Sequence, residues 1–291
     1  MTAETETALK PKDYKSAVRP VWCVGCGDYG VHSGVQKAFA ECKLDIDKTV
    51  CVSGIGCSSR MPYFLRMYGF HTLHGRVLPV ATGIKLANPS LEVVAFGGDG
   101  DGFSIGGGHV PHTVRKNIPI TYIMMDNHIY GLTKGQVSPT SGSGFVTVTT
   151  PYGSPDPGSV NPLAYVLTYG GTFVAQTFSS HPKQMGEMIA KAIRHKGFSL
   201  VNIISPCVTF NKVDTFDHFK DVITDLPEDH DSSNLISALD MALNPPAGKV
   251  YTGIFYETER PTLVDNLNAI QQKAGVNKDM DLNEIIDQFK S

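Results

Sequence analysis

The chain has 291 residues, with 25 Lys and Arg against 28 Asp and Glu for a formal charge of −3, and a hydrophobic share of 41% that suits a globular protein and excludes a largely disordered one. Near-neutral charge without a dense basic stripe gives nucleic acid little to hold. No apolar run approaches the roughly 20 residues that span a bilayer, and Met1 to Lys10 carries neither a basic nor an apolar segment, so a chain of the cytoplasm without membrane attachment is expected.

A polar tail over residues 1–20 opens the chain. Val31, Gly34, Val35, Ala38, Phe39 and Cys42 then recur at helical spacing and predict a helix over 29–43. Thr49 to Ser53 reads as a strand that runs into Gly54-Ile-Gly56, and further strands are expected at 91–96, 118–125, 171–176 and 199–205. Helices are expected near 79–88, 103–117, 161–169 and 182–196. Strands alternating with helices, most of them apolar on both faces, predict an α/β fold with a mainly parallel sheet covered on both sides. Such sheets bind ligands beyond the carboxyl ends of their strands.

Residues 131–160 form a long Gly, Ser, Thr and Pro-rich loop, a length that usually carries function. Beyond about residue 212 charge rises, Asn244-Pro-Pro-Ala-Gly248 interrupts the pattern, and too few apolar positions recur for a second core. The expected organisation is a tail (1–20), one binding domain (21–211) and an extended C-terminal arm (212–291) that packs on a partner chain.

Residues 97–102 read Gly-Gly-Asp-Gly-Asp-Gly at the end of the run Leu91 to Phe96. A plain turn needs only one or two of those glycines. A dinucleotide fingerprint needs a different final spacing and would not set an acid against pyrophosphate. The third reading is a Mg²⁺ site for a phosphorylated cofactor, in which one carboxylate holds the cation and glycines admit phosphate close to the backbone. Mg²⁺ needs further oxygens, and the next predicted strand ends in Asp126-Asn127-His128-Ile129, where the Asn127 amide is a suitable second donor and a carbonyl just beyond it a third. Asp101 is read as the cap of a helix starting near Phe103.

Cys23-Val-Gly-Cys26 is compatible with zinc, redox chemistry or iron–sulfur. Cys57 and Cys207, both near predicted carboxyl ends of strands, could complete a set of four, while Cys42 and Cys51 fall on buried positions and read as core.

Gly98-Asp99-Gly100 followed by Asn127 resembles the metal motif of thiamine-diphosphate enzymes, although Asp126 stands where the family usually has a first Asn. Trp22-Cys-Val-Gly-Cys-Gly27, Gly54-Ile-Gly-Cys-Ser58, His71-Thr-Leu-His-Gly-Arg76, Tyr130-Gly-Leu-Thr-Lys-Gly-Gln136, Ser138-Pro-Thr140 and Ser205-Pro-Cys207 together resemble the β subunit of 2-oxoacid:ferredoxin oxidoreductases over about residues 18–212.

That resemblance implies a thiamine-diphosphate-binding fold, with Asp99, Asn127 and the Ile129 carbonyl on Mg²⁺, and Cys23, Cys26, Cys57 and Cys207 on one [4Fe–4S] cluster. Ile55, Gly56, Ser58, His74, Gly98, Gly100 and Thr133 are implied around thiamine diphosphate. The implied reaction oxidatively decarboxylates a 2-oxoacid to its acyl-CoA, passing electrons singly through the cluster to ferredoxin, with coenzyme A as acceptor. The activating glutamate is expected on an α subunit, so this chain carries no catalytic residue of its own and acts only in an α–β assembly.

Arg60, with Leu132 opposite, is the expected substrate contact, because a guanidinium pairs with the distal carboxylate that 2-oxoglutarate has and pyruvate lacks. A pyruvate or broad-specificity oxidoreductase, a cluster-free thiamine-dependent decarboxylase and a zinc-stabilised interaction module are the rival readings.

Overall fold

A computed structural model describes residues 9–275 and 281–290; the first eight residues of the expected tail lie outside them. Residues 9–20 are tied to the domain. Tyr14 is fully buried, its hydroxyl donates to the Leu44 carbonyl at 2.9 Å, and Lys15 bridges to Leu65.

The elements that carry the fold are α1 (Asp28–Cys42), β1 (Thr49–Ser53), β2 (Tyr68–His71), α2 (Val77–Ala87), β3 (Glu92–Gly98), α3 (Val110–Arg115), β4 (Thr121–Asp126), α4 (Pro162–Thr168), β5 (Phe173–Phe178), α5 (Pro182–Arg194), β6 (Ser199–Ile204), α6 (Phe216–Val222), β7 (Ile223–Asp225), α7 (Leu235–Leu243) and β8 (Val250–Glu257). They build one sheet in the order β2-β1-β3-β4-β6-β5-β8-β7. The first six strands are mutually parallel, β8 runs antiparallel to β5, and β7 pairs parallel with β8.

Alternation along each strand sends Val94, Phe96, Ile123, Met125, Val201 and Ile203 to the layer under α1 and α5. Val93, Ala95, Tyr122, Met124, Val174 and Leu200 face the layer holding α2, α3, α4 and α7. Helices α1 and α5 touch closely because Gly34 has no side chain: a Cβ there would stand 2.6 Å from Met185 Cε. No helix among the described residues is long and apolar enough to cross a membrane.

Three expectations need correction. The helix expected at 103–117 is broken into a π-turn at Asp101–Ile105, a glycine turn, and α3. Gly106 sits so close that a Cβ would collide with the Asp101 carbonyl, which no continuous helix bearing side chains allows. Strand β2 was not expected, since Tyr68, Gly69, Phe70 and His71 are all exposed at the sheet edge and show no buried alternation.

Residues 223–257, expected within an arm, add the last two strands to the same sheet. Phe255 on β8 is buried with Ala238 and Ala242 of α7 against the α4 layer. The period-2 pattern of β8 is broken by a register shift against β5, and Gly253 adopts φ +142°, so its apolar positions do not alternate cleanly. Helices α8 (Leu263–Ala274) and α9 (Leu282–Asp287) have no buried residue, and arm character is confined to them.

Candidate active site

The carboxyl ends of β1, β3 and β4 open into one cavity, as expected of a parallel sheet. Its walls include Ile55, Gly56, Cys57 and Ser58 after β1, His74 before α2, and Gly98, Asp99, Gly100 and Asp101 after β3. Asn127, Ile129, Gly131, Leu132 and Thr133 after β4 complete it. Every residue expected around the cofactor is therefore in one place. Arg60 is not among those walls: it lies on the 3-10 turn Ser58–Phe64, and its guanidinium makes no hydrogen bond among the described residues.

Asp99 is 2% exposed, and its Oδ2 accepts a hydrogen bond from Thr140 Oγ1 at 2.7 Å. The same hydroxyl lies 2.9 Å from Asp126 Oδ1. One hydroxyl has one proton to give, so it serves one of the two buried carboxylates at a time, and Asp126 is the one with His128 and Asn202 as further partners. Burial, with Asp126 adding, pushes the Asp99 carboxyl up to about 6. For Asp126 burial acts the same way, but His128 beside it outweighs burial and holds it below the usual range. A buried carboxylate in want of a positive partner suits a cation.

The β4 turn is unusual in its backbone. Asn127 Oδ1 accepts from the Ile129 amide at 3.0 Å, and His128 between them adopts left-handed φ +55°. His128 Nδ1 lies 3.1 Å from Asp214 Oδ2. Burial opposes charge on this imidazole, but Asp126 and Asp214 prevail and hold its pKa well above the ordinary value.

Asp101 does not cap a helix. Its Oδ1 accepts from the backbone amides of Ile55 at 2.9 Å and Gly75 at 2.8 Å, and faces His74 Nδ1 at 2.8 Å. One carboxylate thus ties together the loops after β1, before α2 and after β3. Gly54 makes room for it, since a Cβ there would collide with Asp101 Oδ2. A Cβ on Gly100 would strike the Tyr130 ring, whose hydroxyl donates to the Gly100 carbonyl at 3.1 Å. Thr133 hydrogen-bonds Gln136 within the turn that follows Tyr130.

The cysteine loops share a wall with this cavity. A Cβ on Gly131 would be 3.4 Å from Cys207 Sγ and 3.9 Å from Cys57 Sγ. Burial pushes the Cys57 thiol up to about 12, with Asp28 and Cys207 adding and Arg60 opposing. Burial also raises the Cys26 thiol, with Asp28, Cys57 and Cys207 adding. Cys23 acts on Cys57 as well. Among the described residues no three of His, Cys, Asp and Glu form a group that would hold a single metal ion. Cys51 is fully buried and Cys42 Sγ donates to the Ala190 carbonyl at 3.5 Å, both within the core as expected.

Sequence reasoning missed Asp28, Thr140, His128, Asn211 and Asp214. Asp28 is buried directly after the first cysteine pair; Ser205 Oγ donates to its Oδ1 at 2.8 Å, and burial lifts it to about 6 against Ser205 and Cys26. Its place two residues after Cys26 was the only signal available. The others are recognised by partners distant in sequence.

Comparison with known proteins fits this geometry. Residues 54–203 match the family described as thiamine pyrophosphate enzyme, C-terminal TPP binding domain, and residues 207–272 match the C-terminal family of the pyruvate ferredoxin oxidoreductase beta subunit. The chain is 44% identical over 216 residues to 2-oxoacid:ferredoxin oxidoreductase 1, subunit beta, of Aeropyrum pernix, covering 74% of this chain and 68% of that one. It is 40% identical over 258 residues to 2-oxoglutarate synthase subunit KorB of Methanothermobacter marburgensis, covering 88% and 89%. A solved 2-oxoglutarate:ferredoxin oxidoreductase from Magnetococcus marinus, with 2-oxoglutarate, coenzyme A and succinyl-CoA bound, superposes with a TM-score of 0.93 at 54% identity over 97% of both chains. These likenesses establish that the chain belongs to the 2-oxoacid:ferredoxin oxidoreductase β subunits, within the thiamine-diphosphate enzymes.

Proposed function

We propose that this β subunit holds thiamine diphosphate, Mg²⁺ and one [4Fe–4S] cluster, and that with its α subunit it oxidises 2-oxoglutarate to succinyl-CoA and CO₂, delivering electrons to ferredoxin. The observation that carries the reading is Gly131, which lines the cavity of Asp99 and Asn127 on one side and packs against the sulfurs of Cys57 and Cys207 on the other. A single backbone residue thus stands between the proposed cofactor cavity and two of the proposed cluster ligands.

Asp99, Asn127 and the Ile129 carbonyl are the Mg²⁺ donors in this reading, and the want of a positive partner at Asp99 supports it. Gly98 and Gly100 leave the backbone bare beside the diphosphate; Ile55, Gly56, Ser58, His74 and Thr133 form the remaining wall. Cys23, Cys26, Cys57 and Cys207 hold the cluster, and the cost of the buried Cys26 and Cys57 thiolates is offset by binding iron. When bound, thiamine diphosphate supplies the electron sink for loss of CO₂, and the cluster supplies single-electron acceptance. The chain's own part is to fix both groups and exclude water between them. The activating glutamate comes from the α subunit, and coenzyme A takes the acyl group in the assembled complex.

Arg60 and Leu132 select substrate in this reading. Steady-state assays of the anaerobic α–β complex with coenzyme A and a viologen acceptor test it. Arg60→Ala is expected to reduce 2-oxoglutarate turnover by about 10- to 100-fold more than pyruvate turnover, the worth of a charge-assisted pair. Equal losses on both substrates would sink the assignment. One observation favours the second reading, a pyruvate or broad-specificity enzyme: Arg60 stands outside the cavity walls.

A further inference from the structure

We infer that Asn211 and Asp214, in the segment leaving Cys207, are positioning residues for the magnesium turn, so that the four-cysteine site and the diphosphate site brace each other. The inference rests on the cofactor assignment above and concerns residues to which that assignment gives no role.

The turn between Asp126 and Ile129 needs bracing. His128 occupies the left-handed region at φ +55°, where a side chain is disfavoured, so contacts around it must offset the cost. Those contacts come largely from one place. Asn211 Nδ2 donates to the Asn127 carbonyl at 3.2 Å and to Asp214 Oδ2 at 3.0 Å. Asp214 Oδ2 also meets His128 Nδ1 at 3.1 Å. From the long loop, Ser141 Oγ donates to the His128 carbonyl at 2.7 Å.

The brace is itself rigid. Asn211 is 1% exposed, and its Oδ1 accepts from the amides of Val213 at 3.0 Å and Asp214 at 2.8 Å, so both ends of its amide are committed. Its own backbone amide donates to the Cys207 carbonyl at 3.1 Å. Just upstream, the Ser205 amide donates to the Asp126 carbonyl at 2.7 Å, Ser205 Oγ reaches Asp28, and the Pro206 carbonyl accepts from Gly27 at 3.3 Å. Residues 205–214 therefore contact the Cys23–Cys26 loop, carry Cys207, and hold the backbone of Asn127 and the ring of His128. Movement of Cys207 moves the brace, and the brace holds the turn that bears two of the three proposed Mg²⁺ donors.

Two consequences follow. Loss of the Asn211 amide weakens Mg²⁺ and thiamine diphosphate without touching either. Loss of iron weakens them too, by the same route, and reciprocity makes the converse true.

The test uses the α–β complex, stripped of Mg²⁺ and thiamine diphosphate, with calorimetric binding of both and iron counted in parallel. Asn211→Ala is expected to weaken binding by about 10- to 100-fold, the usual loss when a ligand's support is removed. Asn211→Asp keeps the turn-forming oxygen and lacks the donor, and is expected to be as weak. Removing iron from the wild-type complex with a chelator is expected to weaken binding by about 5- to 150-fold, and to have little further effect in Asn211→Ala.

Unchanged affinity in Asn211→Ala, or an undiminished effect of iron removal in that variant, overturns the inference. If Asn211→Ala does not fold, Asp214→Asn, which keeps the shape and loses the charge facing His128, reads the same positioning by a smaller loss of affinity. A wild-type complex purified without oxygen and found free of iron overturns the cluster assignment and the reciprocal link, whereas the affinity of Asn211→Asp still decides the positioning role.

Discussion

The two halves of the cavity rim solve opposite problems. At the carboxylate half nearly every polar group has a protein partner: Thr140 serves Asp99 and Asp126, Asp101 collects two amides and His74, and Asn127 accepts from Ile129. At the thiol half burial raises the Cys26 and Cys57 thiols, and loops reach position through glycines at positive φ, Gly25 at +83° and Gly56 at +135°. The first half is organised in advance, which lowers the cost of ordering it around a ligand. The second holds buried thiols whose ionisation would be favoured by the proposed cluster.

The largest expected effect separates the halves outright. Cys57→Ala is expected to abolish iron incorporation, measured as iron per chain and as visible absorption, since one missing thiolate in four removes a corner of the site. Thiamine diphosphate binding is expected to remain measurable in the same preparation, weaker by no more than the roughly 5- to 150-fold of inter-site coupling. Complete loss of cofactor binding with an unchanged melting temperature would show that the carboxylate half is not preorganised.

A second change probes the carboxylate half alone. Thr140→Val removes the proton shared by Asp99 and Asp126 at nearly constant volume, and Mg²⁺-dependent thiamine diphosphate binding is expected to weaken by about 10-fold, whereas Thr140→Ser restores it. Equal behaviour of Val and Ser would mean that the hydroxyl has no part in orienting Asp99.

What the sequence made legible follows the same division between local and distant determinants. Asp99, Asn127 and the cysteines belong to short motifs, and runs apolar on both faces marked the parallel strands. Thr140 meets Asp99 across 41 residues, and Asn211 meets Asn127 across 84, so neither has a signature in its own neighbourhood. Asp101 misled because an acid before an apolar helical pattern looks like a cap; the π-turn directs its carboxylate to Ile55 and Gly75 instead. Strand β8 was hidden by its bulge, since one inserted residue exchanges the inward and outward positions on which strand recognition depends.

The smallest expected effect is a pH dependence with a definite sign. In the metal-free chain the Asp99 carboxyl is raised to about 6, first by burial and then by Asp126, so folding favours its protonated form. Its contribution to stability is present below the ordinary carboxylate range and is lost as pH rises through about 6. Asp126, held low by His128, contributes in the opposite sense and loses its share as pH falls. At the proposed site Mg²⁺ displaces the Asp99 proton, so its affinity is expected to fall by about 10-fold for each pH unit below that value and to level off above about pH 7. Thermal shifts with Mg²⁺ and thiamine diphosphate between about pH 5 and 7.5 read this directly, with the stabilisation by ligand growing as pH rises. A Mg²⁺ affinity that stays flat across this range would mean that Asp99 is already ionised in the free chain, and that Thr140 gives its proton to Asp99 in preference to Asp126.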